Sequence, residues 1–226
     1  RYLDWKKINE IFPVNSVGIV TSRDNFAIAD CKDELRRRIE QMKSSSLSDE
    51  IVSQTYNLKD KKNWSIDDTR NKIKELKEYE KYIKEILYRP FDKKYIFYHE
   101  SVIERMRYDV MKNMQKENIG LITVRQVAES KFNHCFISEN IVESRITLSN
   151  KGIGFLFPLY LHPAKENKNL FNHSKTEKEP NIEQLVYKNL EESYKRIPTP
   201  EEILYYIYGI FYSNIYQETY AEFLKI

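Results

Sequence analysis

The sequence predicts an α+β fold: a mixed β-sheet with long helices and a helical C-terminal part. Three observations predict it. Runs of β-branched and aromatic residues, such as Leu121-Ile122-Thr123-Val124 and Tyr95-Ile96-Phe97-Tyr98, are short and bounded by turn residues. Other stretches carry apolar residues three and four apart, the spacing of one helix face. From Ile182 onward the chain is of helical type throughout.

In chain order, residues 11–28 hold short β-type runs punctuated by Pro13, Asn15 and Gly18, with Arg23-Asp24-Asn25 as a turn. Leu35, Ile39 and Met42 predict a helix over 32–43, and Ser44–Ser48 a polar linker. Ile73, Leu76, Tyr79, Ile83 and Leu87 form a stripe that predicts one long helix over 66–87, stopped by Pro90. An aromatic strand is expected over 93–99 and a helix over 101–116. Strands follow at 120–125, near 134–138 and near 144–148. Residues 154–162 read as a buried strand in which Pro158 favours an edge or bulge. Helices are expected over 182–194, 200–212 and, behind an Asn214 cap, 214–224. Grouped into domains, residues 1–163 form a mixed core, 164–181 a surface loop, and 182–226 a helical part packing on that core.

Composition narrows the function classes. The chain has 226 residues, is 41% hydrophobic and 31% charged with both signs mixed, and carries a net charge of +3. That excludes a polybasic arm but leaves room for a locally basic face. Tyrosine is abundant, with 17 copies against 5 glycines. Tyrosines build cores, but they also stack on bases and bond phosphates. Cys31 and Cys135 are far apart, as in a reduced cytosolic protein. No apolar run is long enough for a membrane span. A chain opening on Arg1 and closing on Lys225-Ile226 is expected to be a piece of a longer protein.

Catalytic signatures are missing. There is no G-x-x-x-x-G-K-[ST] phosphate loop, and Lys151-Gly152-Ile153-Gly154 precedes a strand, so it reads as a turn. The Asn-Pro-Pro-Tyr motif of amino-methyltransferases is absent. His99, His134, His162 and His173 are dispersed, and His134-Cys135 would point to opposite faces of a strand, so no metal site is expected. Asp67-Asp68 and Glu191-Glu192 suit helix starts and solvated faces. The charges of 74–81 suit ion pairs along a helix rather than a nuclease centre.

Basic and amide side chains beside strands and turns carry more information. Arg125-Gln126 ends the strand that begins at Gly120. Arginine can grip guanine O6 and N7 with two bonds, and glutamine can grip adenine N6 and N7 likewise. The same pair is equally at home as the solvated end of a core strand. Arg23, Arg89, Arg105, Arg107 and Arg145 occupy similar places. The tyrosines of 205–216 recur at helical spacing, for which core packing is the default.

Seven ordered stretches together resemble one family: EIFPVNSVGIVTSRD (10–24), YRPFDKKYIFY (88–98), RYDVMKNM (107–114), NIGLITVRQ (118–126), FPLYLHP (157–163), PNI (180–182) and TPEEILYYIYGIFYSNIYQETYAEFLKI (199–226). Their order and spacing resemble the C-terminal specificity region of single-chain restriction-modification enzymes of the type ISP and type IIG kind. The resemblance covers nearly the whole chain. It implies a non-catalytic, cytoplasmic target recognition domain whose partners are double-stranded DNA and a fused N6-adenine methyltransferase. It implies no cofactor in this fragment and no small-molecule substrate or membrane partner. S-adenosylmethionine is expected for the parent, with Mg and ATP as further candidates, and the parent is a candidate endonuclease as well.

The DNA-binding residues implied are Arg125, Gln126, Arg107, Arg145, Arg23, Lys131, Asn133 and Lys94. Within that set two readings stay open. Arg23, Arg89, Arg107 and Arg125 recur in the family and suit phosphate contacts or bracing of the fold. The base readers would then lie in 129–150, with Lys131, Asn133, His134, Ser144 and Arg145 as candidates. A different class of function, a docking scaffold in which the helices of 182–224 bind the rest of the enzyme, is the alternative.

Overall fold

The computed structural model describes residues 5–127, 132–147, 152–163 and 178–225. The elements run α1 (Ile8–Ile11), β1 (Ser16–Val17), α2 (Asp24–Ala27), β2 (Ile28–Ala29), α3 (Lys32–Lys43), α4 (Asp49–Tyr56), α5 (Ile66–Glu75), β3 (Ile83–Arg89), β4 (Asp92–Phe97) and α6 (Tyr108–Met111). They continue with β5 (Gly120–Val124), β6 (Phe136–Ser138), β7 (Ile141–Val142), β8 (Gly154–Pro158), β9 (Tyr160–Leu161), β10 (Glu179–Pro180), α7 (Gln184–Tyr194), α8 (Pro200–Phe211) and α9 (Asn214–Thr219). The fold is α+β, as expected. The chain divides into two compact units: Ile19–Met106, and a discontinuous unit made of Arg1–Gly18 with Arg107–Ile226. The 1–163 stretch read as one core therefore contributes to both.

In the 19–106 unit, β4 lies between β2 and β3, antiparallel to each. α3 has the predicted bounds and buries Leu35, Ile39 and Met42 completely, alongside Phe26, Ile73, Ile86, Ile96 and Phe97. Each such side chain contributes roughly 1.5–3 kcal/mol by leaving water. The polar linker after α3 is held by Arg70, whose buried guanidinium donates to the carbonyls of Met42 (3.0 Å), Leu47 (2.8 Å) and Ser44 and pairs with Asp49. α4, capped by Ser48 and closed by left-handed Asn57, follows that linker and was not foreseen.

The expected helix over 66–87 stops at Glu75. Residues 79–82 make a 3-10 turn, and 83–89 form β3 instead. The apolar spacing suits either form. What decides is the partner: Ile83 to Leu87 pair residue for residue with Phe97 to Lys93. The hairpin turns on Pro90-Phe91, and Phe91 has φ +62°, a conformation that costs roughly 1–2 kcal/mol for a residue with a Cβ.

In the discontinuous unit one sheet has the order β1-β8-β5-β6, all neighbours antiparallel. β8 is thus an interior strand, not the edge that Pro158 suggested. Pro158 is tolerated because it is the last residue of β8, and β1 reaches only as far as Leu156. After Leu159 the chain continues as β9, paired with β10, so the expected single strand over 154–162 is two.

Side-chain amides secure this break. Asn181 accepts the N–H of Val14 (3.0 Å) and donates to the carbonyls of Val14 (2.7 Å) and Pro158 (2.8 Å). Asn118 accepts the Tyr160 N–H (3.1 Å) and donates to the Tyr160 carbonyl (2.8 Å), and Asn113 accepts the His162 N–H (2.8 Å). All three asparagines are buried.

The expected helix over 101–116 is also replaced. Residues 101–106 are irregular, with Arg105 bridged to Val20, and Arg107, at φ +54°, precedes α6, which runs into a 3-10 turn over 112–115. The β-type run near 144–148 is a turn over its described residues, with the strand just before it at Ile141–Val142. The carboxylate of Glu143 sets that turn by accepting the Arg145 N–H (2.7 Å) and the Ser144 hydroxyl (3.0 Å).

One face of the sheet packs Leu121 and Phe157 against Phe12, Phe132, Cys135 and, from α8, Ile203 and Leu204. Burial pushes the Cys135 thiol up to about 12, so it behaves as a small apolar group. The tyrosine stripe is only partly core: Tyr208 and Phe211 pack inward, whereas Tyr205 and Tyr206 are 57% and 66% exposed. α9 is capped by Ser213 rather than Asn214. The expected loop over 164–181 falls mostly outside the described residues.

Replacing Asn181 by Ala strands the half-buried N–H and carbonyl of Val14 and the buried Pro158 carbonyl. Each uncompensated buried group costs about 1–3 kcal/mol. We expect the urea midpoint of N181A to fall by at least as much as loss of one such group demands. An unchanged midpoint would show that the amide does not pin β8.

Candidate nucleic-acid interface

The end of the sheet at which β5 finishes gathers several of the sequence-predicted residues. Thr123 faces Phe155 across the β5–β8 ladder. Side chains alternate along a strand, so Arg125, two residues on from Thr123, leaves the sheet on the same side as Phe155. Its guanidinium lies over the Phe155 ring, 4.4 Å from the centroid. A cation over an aromatic face is held in place, yet its N–H groups stay available at the rim. Arg125 and Gln126 are both exposed.

Phe155, under the Arg125 guanidinium, is the site residue that sequence reasoning missed. It was read as one apolar residue of a buried strand, and only the register that sets it opposite Thr123 brings it beside Arg125.

The Glu143 turn comes to the same end. Gly154, opposite Val124, donates its N–H to the Ser144 carbonyl (2.9 Å) and accepts the Gly18 N–H (3.0 Å). A Cβ on Gly18 would sit 2.5 Å from the backbone of Glu143, and one on Gly154 would sit 2.5 Å from Ile146. Both positions require glycine because the turn packs directly on the sheet. Arg145 projects from this turn and is exposed. On the other flank β6 pairs with β5 as far as Phe136 opposite Ile122; Asn133, three residues beyond that pair, and Arg125, likewise three beyond, lie toward the same end. The segment bearing Asn133 is braced from the C-terminal helices, because Phe132 packs on Phe211 and the Tyr212 hydroxyl donates to the Cys135 carbonyl.

Arg125, Gln126, Asn133 and Arg145 thus share one end of one sheet. Among the described residues no carboxylate pairs with Arg125 or Arg145. Ser144 is buried with its hydroxyl on Glu143, and His134 is half-buried beside Phe132. Lys131 lies outside the described residues. Arg107 is half-buried, with a buried Nε that finds no hydrogen-bond partner.

Arg23 and Lys94 belong to the 19–106 unit and differ in kind. Arg23 is 8% exposed, donates to the carbonyls of Val102 (2.7 Å) and Thr21 (3.2 Å), and stacks on Trp64 (4.0 Å). Burial lowers its pKa, partly offset by Glu104. That is the brace reading of Arg23 rather than a phosphate contact. Lys94 pairs with Asp30 (2.7 Å), which raises its pKa, and approaches Asp92 (3.9 Å). Arg89 lies over the neighbouring Tyr88 ring (3.9 Å).

Among the described residues no group of three or more His, Cys, Asp or Glu is placed to hold a metal ion, and no helix is long and apolar enough to cross a membrane. These placements separate braces from free cations. Arg23→Met should lower stability by about 1–3 kcal/mol through stranded buried carbonyls. Arg125→Ala and Arg145→Ala should stay within about 1 kcal/mol of the parent. Urea unfolding of the three variants checks the contrast.

A search of curated proteins finds no significant match. Several solved structures share the fold, among them the three that follow. The DrdV–DNA complex is 20% identical with a TM-score of 0.67, and the match covers 95% of this chain and 21% of that one. The ATP-dependent Type ISP restriction-modification enzyme LlaBIII bound to DNA is 21% identical with a TM-score of 0.67, covering 97% and 14%. A nuclease-deletion mutant of the Type ISP enzyme LlaGI, in complex with a DNA substrate mimic, is 20% identical with a TM-score of 0.61, covering 99% and 17%. This chain therefore spans between 14% and 21% of the length of those proteins. Residues 10–226 match the Type ISP C-terminal specificity domain, and the chain belongs to that family.

Proposed function

We propose that this chain lies against double-stranded DNA and reads the target sequence of a restriction-modification enzyme. The observation that carries the reading is the collection of Arg125, Gln126, Asn133 and Arg145 at one end of a sheet, the two arginines without a carboxylate partner among the described residues, in a domain of the Type ISP specificity family. The similar structures named above are of DNA-bound proteins.

Exposed cations supply affinity through phosphates, while base edges supply sequence information. Arg125 is suited to a base edge. The Phe155 ring holds the guanidinium plane and leaves a donor fork that fits guanine O6 and N7, and Gln126 beside it fits adenine N6 and N7. Arg145, on a turn set by Glu143, suits a phosphate, as does Arg107 on sequence grounds, and Lys131 is a base-edge candidate on sequence grounds. Asn133 is a second candidate for a base edge.

Bond-making falls to the rest of the parent, where a fused methyltransferase would take the adenine out of the stack and methylate it from S-adenosylmethionine. Any need for Mg or ATP sits with the parent too; LlaBIII is described as ATP-dependent. A cytoplasmic setting follows from the same reading.

The test uses the full-length protein. Mapping methylated adenines in cells with and without the gene gives the target, and a duplex carrying it serves as the probe. Binding should weaken steeply with salt, by about 0.9 in log K per log salt unit for each phosphate neutralised. Arg145→Ala should reduce that slope by about one and lower affinity evenly across sequences. Arg125→Ala should relax discrimination at one base pair, by about 1–3 kcal/mol. Salt-independent binding, or discrimination untouched by both variants, would overturn the assignment.

A further inference from the structure

α8 packs one side on the core and leaves the other to solvent. Ile203 and Leu204 are buried, and Ile207, Tyr208 and Phe211 pack beside them. Tyr205 and Tyr206 are more than half exposed, and Gly209 is exposed as well. Helical spacing sets Gly209 one turn on from the two tyrosines, so the three share the outward side.

Gly209 lies within α8 and is not its cap: the helix runs on to Phe211, and no described glycine has a positive φ. A helix favours alanine over glycine, because glycine gives up more backbone freedom. A Cβ at Gly209 would meet nothing within 4 Å, whereas Gly18 and Gly154 are crowded by their neighbours. The described fold therefore has no need of glycine at 209. The missing side chain serves something that approaches from outside. Two helices cross at short distance where the side chains at the contact are small. Tyrosines beside the crossing suit it too, since the rings bury apolar area while the hydroxyls bond at the rim.

Charge argues against DNA as the occupant. Between Arg196 and Lys225 the chain has Glu201, Glu202, Glu218 and Glu222 and no Lys, Arg, His or Asp. A polyanion finds no cation on this stretch. Glu202 is held by Arg196 (2.8 Å), and Glu201 by the Tyr160 hydroxyl (2.5 Å). What fits is a helix with an apolar stripe and no net negative charge. In the similar structures the matched region is between 14% and 21% of the chain, so most of a protein of that kind lies outside this domain.

We infer that the Tyr205, Tyr206 and Gly209 face of α8 seats a helix from the part of the parent enzyme outside these 226 residues, crossing α8 at Gly209. The same helix packs Ile203 and Leu204 into the core that holds Leu121 of β5, so the contact orients the sheet against the rest of the enzyme. The inference goes beyond the DNA contact proposed above and takes from that reading only that the chain is part of a longer enzyme.

The experiment uses the purified full-length protein with photoreactive benzoylphenylalanine in place of Tyr206. After irradiation, with and without duplex DNA, the cross-linked peptides are identified by mass spectrometry. The expected product joins residue 206 to a peptide outside residues 1–226 in a species of monomer mass. Gly209→Gln should abolish that product, because a long side chain fills the crossing point. Glutamine is a better helix former than glycine, so α8 itself is not weakened. The cross-link map needs no change at Gly209 and decides the matter by itself. A cross-link only to peptides within 1–226, a product of dimer mass, a cross-link to the duplex, or none at all would overturn the inference. So would a product that Gly209→Gln leaves untouched in a folded protein. Duplex binding measured on the same sample separates the two readings: the expected cross-link in a protein that does not bind its duplex sinks the DNA-reading function and leaves the α8 seat standing.

Discussion

The hydrogen bonds that buried asparagine amides make around β8 and β9 are the constraint on which the end of the sheet carrying Arg125 depends. β8 sits inside its sheet but ends on Pro158, which has no N–H to donate, and the ladder breaks at Leu159 before β9 begins. Backbone groups at such a break would be buried and unpaired, a state worth several kcal/mol in the wrong direction. Asn181 closes the gap toward Val14 and Pro158, while Asn118 and Asn113 close it toward Tyr160 and His162. With β8 held, β5 is held in register beside it. The register determines that Arg125 meets Phe155 rather than another neighbour.

The small net charge hides how the cations are used. In the 19–106 unit many are matched: Arg36 with Asp33 and Glu80, Arg38 with Glu34, Lys72 with Asp68, Lys94 with Asp30. Arg23 and Arg70 are buried and bind carbonyls. Such groups have little left to offer a phosphate. Arg125 and Arg145 carry their charge into solvent without a carboxylate partner among the described residues. A net charge near neutrality is therefore compatible with a local positive face, because what a polyanion meets is the unpaired charge and not the sum.

Rigid support recurs wherever the candidate interface residues sit. Phe155 holds a guanidinium plane, the Glu143 carboxylate holds the turn that carries Arg145, and Tyr212 with Phe211 holds the segment leading to Asn133. A base reader gains selectivity when its donors are already oriented, since less conformational freedom is lost on contact.

The sequence by itself determined the fold class, α3 to the residue, the location of β5 and the family, because local periodicity, turn residues and ordered blocks are properties of the chain alone. It also marked Arg125-Gln126 as a pair on a strand end. It misjudged 83–89, where Ile83 and Leu87 fit a helical stripe and a strand equally, and only pairing with β4 chose between them. It read Arg23 and Arg125 alike, since an arginine beside a strand looks the same whether it faces buried carbonyls or solvent. Which arginines brace and which stay free, and that Phe155 lies under one of them, was decided by tertiary structure. Burial and cross-strand register come from residues far apart in the chain, and no local pattern encodes them.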